Sequence, residues 1–174
     1  ADKTGLEVVS IDYRLAPEAP YPAASDDCLA AYRWLSEHSG ELGVDGDALA
    51  LMGDSAGGNL AALVALGARD QGLRPPAVQA LVYPATDFTM TSRSIDTFAE
   101  GFLLTRDSME WFRGQYLPNS ERWHDPAASP LYADLTGLPP IYVQAGDWDI
   151  LVDDAHRFAE AARRAGVEVR LDLF

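Results

Sequence analysis

The chain has 174 residues, 48% of them hydrophobic, a formal net charge of −14 and a single cysteine. That length fits one domain with room for a substantial core. The acidic balance argues against nucleic acid or an anionic membrane surface as partner, no apolar run approaches a membrane span, and one cysteine excludes an internal disulfide.

Residues 7–13 read as a strand and residues 14–19 as a loop. Pro22 opens a helix in a position that suits proline. Cys28, Ala31, Tyr32 and Leu35 then recur at helical spacing to about His38, before Gly40 and Gly43 break the pattern. Cys28 sits among those apolar positions as a small core residue rather than a nucleophile. Residues 48–52 read as a strand, and the Ala/Leu-rich residues 59–70 as a helix that ends near Gly72. Residues 78–83 form the next predicted strand. Residues 87–127 break the rhythm: they are polar and Thr/Ser-rich, then amphipathic over 108–116. A strand over 141–145, a helix over 152–165 stopped by Gly166, and a strand over 167–174 complete the order. Strands alternating with helices predict an α/β fold, a mostly parallel sheet with helices on both faces. Residues 87–127 are then a cap-like helical insertion over the C-terminal edge of the sheet, where active sites of open α/β folds lie. A cytoplasmic location is expected, but not from the absence of a secretory signal, because the chain opens mid-element on Ala1-Asp-Lys-Thr-Gly without a starting Met.

The chemistry concentrates on Gly53-Asp54-Ser55-Ala56-Gly57, a G-x-S-x-G between a predicted strand and a predicted helix. That context is what a nucleophile elbow requires. A serine at the tip of so sharp a turn is strained, and the chain on either side passes close to it. Gly53 and Gly57 are expected to leave room where a Cβ would clash. The following helix points its N-terminal N–H groups at the spot where negative charge develops in acyl transfer. An activated serine needs a base, and the base needs an orienting acid. Asp147, Asp149, Asp153 and Asp154 all follow the strand over 141–145.

Asp12-Tyr-Arg-Leu-Ala-Pro-Glu18 followed by Tyr21-Pro-Ala-Ala, and Gly53-Asp-Ser-Ala-Gly-Gly-Asn-Leu60, are specific in combination. With Ser129-Pro130, Gly137-Leu-Pro-Pro140 and Asp149-x-Leu151-x-Asp153 in order, the chain resembles the hormone-sensitive-lipase-like family of α/β-hydrolase esterases. The resemblance implies an α/β-hydrolase fold and hydrolysis of carboxylic esters through an acyl-enzyme. It implies Ser55 as nucleophile, Asp149 as triad acid and the backbone N–H of Ala56 as an oxyanion donor, with a small ester as partner and no cofactor. Asp153 and Asp154 then fall in the first turn of a helix, where carboxylates suit the dipole. Their spacing matches no calcium loop, and no metal site is expected.

Two parts of the family pattern lie outside the sequence: the His-Gly-Gly-Gly type segment that precedes the Asp-Tyr-Arg-Leu-Ala-Pro-Glu motif, and the histidine that follows the last strand. The chain therefore reads as an internal part of a longer enzyme, not competent as an esterase by itself. By the family's strand order a further strand belongs between the one ending near Tyr13 and the one ending near Met52. Without it, these two are expected either to keep unpaired ladder groups or to close up and pair directly. His38, His124 and His156 do not replace the histidine; His156 shares a helix face with Glu160 and Arg163, opposite Val152, Ala155, Phe158, Ala159 and Ala162. Asp12, Arg14 and Glu18 read as structural loop ions, one bidentate Arg–carboxylate contact being enough to fix the loop. Phe98, Phe102, Trp111, Phe112 and Tyr116 either line an acyl pocket or form the insertion's own core. A binding protein on the same fold, like the plant hormone receptors related to this family, is the competing function.

Overall fold

The structure is a computed structural model that describes residues 3–174. Four strands, β1 (Ala50–Asp54), β2 (Val78–Val82), β3 (Ile141–Ala145) and β4 (Val169–Leu173), form one sheet in the order β1-β2-β3-β4. All three pairings are parallel, with Leu51 opposite Gln79, Gln79 opposite Ile141, and Ile141 opposite Val169. The helices are α1 (Ala23–Leu42), α2 (Ala56–Asp70), α3 (Arg93–Thr97), α4 (Arg106–Tyr116) and α5 (Val152–Arg164). The predicted α/β order is therefore present, and Ala50–Asp54 carries the strand right up to Ser55.

Helices α2 and α5 cover the same face of the sheet. Helix α5 buries Val152, Ala155, Phe158, Ala159 and Ala162, an i, i+3, i+4 stripe, as its sequence dictates. Helix α2 buries every residue from Gly58 to Leu66, so it is apolar nearly all round. Both meet Leu81, Ile141, Val143 and Ala145 in one core cluster. Among the described residues the cover foreseen on both faces is met on this one; on the other, Met52 is 77% exposed. Helix α1 packs on α2 instead of the sheet, through Tyr32 against Val64 and Ala68, with Cys28 and Leu29 beside them. The Tyr32 hydroxyl donates to the Arg74 carbonyl at 2.8 Å.

Two sequence expectations are corrected. Residues 7–13 form no strand, and none of the described strands pairs with them. A strand exists only through a ladder partner, and β-propensity without one leaves Val8 and Val9 exposed at 70% and 59%. They do not close up onto β1. Helix α1 also continues through Gly40 and ends at Gly43, whose φ of 71° is the left-handed cap conformation. The loop ion Arg14 pairs with Asp27 of α1, not with Asp12 or Glu18: its Nε and Nη2 donate at 2.8 and 2.7 Å and its backbone N–H at 3.0 Å. Those bonds hold the Asp27 carboxyl down to about 2.

Gln79 is an anomaly of the core. It lies mid-strand in β2, fully buried, and both polar atoms of its amide lack a hydrogen-bond partner. An unsatisfied buried polar group costs about 1–3 kcal/mol. Gln79→Met, nearly the same shape without the amide, is expected to stabilise the fold by an amount of that order. A urea midpoint at or below the parental one contradicts it.

Candidate active site

Ser55 stands between β1 and α2 with φ 52° and ψ −114°, a conformation that costs a non-glycine residue strain. Besides the first bond of α2, from the Asn59 N–H to the Ser55 carbonyl at 3.1 Å, two bonds hold it there. Its N–H donates to the Val82 carbonyl at 2.9 Å, and its carbonyl accepts from the Ala85 N–H at 3.3 Å. Although Ser55 occupies the N-cap of α2, its side chain makes no capping bond to the helix. The hydroxyl is thereby left to other chemistry. The first N–H groups of α2, beginning with Ala56, have no carbonyl of their own helix to meet.

The glycines required by the turn are Gly53 and Gly58. A Cβ on Gly53 would run into the Gly57 carbonyl, and one on Gly58 would stand 2.8 Å from Pro84 Cβ. Gly57 departs from expectation, because a Cβ there meets nothing within 4 Å. The chain after β2, not the elbow alone, closes on the turn, and it closes at Gly58. Asn59 tightens the same junction: its side-chain amide donates to the carbonyls of Ala85 at 2.8 Å and Ala128 at 2.9 Å.

Asp149 lies on the turn between β3 and α5. It is half-buried, its Oδ1 accepts from the Leu151 N–H at 2.8 Å, and its carbonyl accepts from the Val152 N–H at 3.1 Å. Ser55 follows β1 and Asp149 follows β3, so both stand at the C-terminal edge of a parallel sheet, with β2 between them. Tyr83, just past the end of β2, occupies that interval with φ 35°. Nothing in the sequence singled it out. The far end of β4 comes to the same edge: the Asp147 N–H donates to the Phe174 carbonyl at 2.9 Å. A Cβ on Gly146 would lie 3.8 Å from Asp149 Cβ and 3.9 Å from that carbonyl, which places Phe174 and Asp149 around one glycine.

Asp153 and Asp154 face inward and tie other segments to the first turn of α5. Asp153 accepts from the Ser94 N–H at 2.8 Å. Asp154, 2% exposed, accepts from the N–H groups of Thr86 and Asp87 at 3.1 Å each and from the Ser92 hydroxyl at 3.3 Å. Asp87 is buried beside it and takes bonds from Thr89, Tyr132 and Arg157, the last at 2.6 Å. Burial, and then the charge of Asp87, push Asp154 up to about 7, against the pull of its backbone donors and Arg157. Burial also lifts Asp87, but its donors outweigh it and hold the carboxyl below the ordinary range. This pair was not legible as a unit in the sequence, where the residues stand far apart. Among the described residues no cluster of His, Cys, Asp and Glu is arranged to hold a metal ion.

A pH dependence follows. An unfolded chain releases the Asp154 proton near 3.8, the folded one near 7. The stability contributed by that proton is complete below the unfolded value and lost as pH rises through the folded one. Asp154→Asn has no proton to lose, so its stability relative to the parent is expected to rise between pH 5 and pH 8. Parallel urea midpoints for the two proteins across that interval would contradict the assignment.

The histidines lie elsewhere. His38 stacks on Trp34 and its Nδ1 lies 2.8 Å from the Trp34 carbonyl; His124 packs against Tyr132 with the rings tilted by 48°; His156 is exposed on the outer face of α5. The aromatic residues divide. Phe98, Phe102 and Trp148 form a trio next to Asp149, with ring centroids 5.2 to 6.4 Å apart and Trp148 70% exposed. Tyr116 packs on Tyr21 and Phe88, while Trp111 and Phe112 pair on the surface. No helix of the described residues is long and apolar enough to cross a membrane.

The alpha/beta hydrolase fold family matches residues 1–174. A carboxylic ester hydrolase of Mycobacterium tuberculosis is 47% identical over 173 residues, which cover 95% of this chain and 46% of that protein. A carboxylesterase of the same organism is 44% identical over 168 residues, 94% of this chain and 53% of its own length. Among solved structures, a thermophilic and thermostable carboxylesterase cloned from a metagenomic library superposes with a TM-score of 0.91 at 42% identity, over 95% of this chain and 57% of that one. An esterase of Pyrobaculum calidifontis gives 0.92 at 39% identity, over 95% of this chain and 55% of that one. The chain thus spans about half the length of the relatives it matches.

Proposed function

Because this chain belongs to the alpha/beta hydrolase fold family, we propose that it supplies the nucleophile and the acid of a carboxylic ester hydrolase. The observation that carries the reading is the strained Ser55, set between β1 and the N-terminus of α2 with its hydroxyl uncommitted to capping. Ser55 Oγ attacks the ester carbonyl carbon and its proton passes to a histidine base. The Ala56 N–H, at the positive end of α2, meets the developing oxyanion. Collapse expels the alcohol, and water then hydrolyses the acyl-enzyme. Asp149 orients the base and stabilises its protonated form.

The base is the histidine that the family resemblance places after the last strand. The approach of Phe174 to Asp147 and Asp149 supports its entry at the acid. Residues 87–127 act as a cap whose Phe98 and Phe102, with Trp148, offer an apolar wall beside Asp149. The partner is a small ester; the acidic charge of the chain speaks against nucleic acid.

A fluorophosphonate tests the reading directly. In an esterase-active preparation containing this chain, Ser55 Oγ should displace fluoride from phosphorus and keep the phosphonyl group. Mass spectrometry should find the adduct on Ser55 alone. A non-catalytic binding protein would remain unlabelled.

A further inference from the structure

We propose that Asp154 is a positioning residue that keeps the nucleophile and the acid in register, by tying the loop that braces Ser55 to the turn that carries Asp149. The inference rests on the assignment of Ser55 and Asp149 above.

The tie can be followed bond by bond. Past the end of β2 the chain crosses beneath the elbow. Ala85 donates to the Ser55 carbonyl, Asn59 holds the Ala85 carbonyl from the other side, and Pro84 abuts Gly58. The next two N–H groups, of Thr86 and Asp87, find no main-chain acceptor, because the ladder has already ended. One oxygen of Asp154 takes both, at 3.1 Å each. Thr86 returns a bond from its hydroxyl to the Asp154 carbonyl at 3.4 Å. Asp154 belongs to the first turn of α5, and the Asp149 carbonyl and carboxylate accept from Val152 and Leu151 of that start. Ser94 adds a second rivet, donating from its hydroxyl to the Ile150 carbonyl at 2.7 Å.

The geometry explains why a carboxylate side chain stands here. Two adjacent N–H groups converge on a single oxygen, and at 2% exposure no solvent can substitute for it. With the Asp154 side chain removed, the Thr86 and Asp87 N–H groups lose their acceptor, and residues 84–87 keep their hold on α5 only through the Thr86 hydroxyl on the Asp154 carbonyl and the Asp87–Arg157 ion pair. Ser55 and Asp149 can then drift relative to one another while each remains locally folded. Reacting groups tolerate little drift: a misplacement of about 1 Å can cost roughly 10²-fold in rate.

The test uses an esterase-active preparation containing this chain, with thermal unfolding, kcat and KM on a short nitrophenyl ester, and fluorophosphonate labelling of Ser55. Asp154→Ala is expected to lower kcat by about 10–100-fold and leave KM within about twofold. Asp154→Asn keeps an oxygen for both N–H groups and should recover most of the lost kcat. A folded Asp154→Ala variant with parental kcat overturns the proposal, as does an Asp154→Asn variant as slow as the alanine. If Asp154→Ala does not fold, Asn59→Ala interrupts the same tie at its other end: a kcat loss with KM retained supports the proposal, and parental kcat overturns it. A parent that does not label at Ser55 instead removes the serine assignment itself, an outcome distinct from a labelled parent with an indifferent Asp154.

Discussion

In an esterase-active full-length protein containing this chain, Ser55→Ala is expected to abolish hydrolysis of a short nitrophenyl ester, by about 10⁴–10⁶-fold in kcat, and to leave the fold intact. The size follows from the chemistry. Alanine has no oxygen with which to form the acyl-enzyme, so only oxyanion stabilisation and binding remain. The stability half follows from the structure. The Ser55 side chain makes no capping bond, so its loss leaves no helix donor newly unpaired. The turn is held by the backbone bonds of Ser55 to Val82 and Ala85, which alanine also makes. Alanine shares the strain of φ 52° but brings no larger Cβ into it. The measurement is steady-state kinetics beside a thermal melt. More than a tenth of parental turnover would sink the assignment.

Asp149→Asn is expected to be nearly as damaging, on the order of 10³–10⁴-fold in kcat, because an amide holds the base in the wrong tautomer and cannot stabilise its cation. The same change at the two flanking acids is expected to be mild. Asp153 uses its carboxylate to accept one backbone N–H, from Ser94, and an asparagine oxygen can do that. Asp147 is exposed and contributes a backbone N–H to Phe174, which no side-chain substitution removes. Asp149 keeps its helix-opening bond to Leu151 as asparagine too, so the loss should appear in kcat and not in the melt. If Asp147→Asn is the damaging change, the acid has been placed two residues too late.

What the sequence disclosed was local. The elbow, α2 and β3 are each written in a short run of residues, in glycine placement and in the period of apolar side chains, and the structure has them where those patterns put them. The apolar stripe of α5 did the same for the outward His156. Long-range pairings were hidden. Residues 7–13 have strand composition but no ladder among the described residues, and composition cannot report a partner. Gly57 drew attention because it completes the motif, while the crowded glycine is Gly58, whose neighbour Pro84 lies 26 residues on. Arg14 had two carboxylates close in sequence and chose a third on α1. In the sequence Asp154 reads as a helix-opening carboxylate and Asp87 only as the start of the insertion; their burial, and the 67 residues separating bonded partners, make them a junction.

The strands stand side by side in the order in which the chain supplies them. Each new strand can therefore dock on an edge that the preceding segment has already presented, as the polypeptide leaves the ribosome. The connection from β2 to β3 is the exception in length, running from Tyr83 to Pro140 and containing α3 and α4. Much of it is fastened by Ser94, Asp87 and Thr86 to residues of α5, which are synthesised afterwards. Closure of so long a loop is slow relative to local helix formation. The β1-α2-β2 unit can thus assemble early with Ser55 already strained, while the acid end arrives only when α5 docks. The turn that carries Asp149 is then fastened to the loop beneath Ser55 only after α5 has been synthesised and has docked.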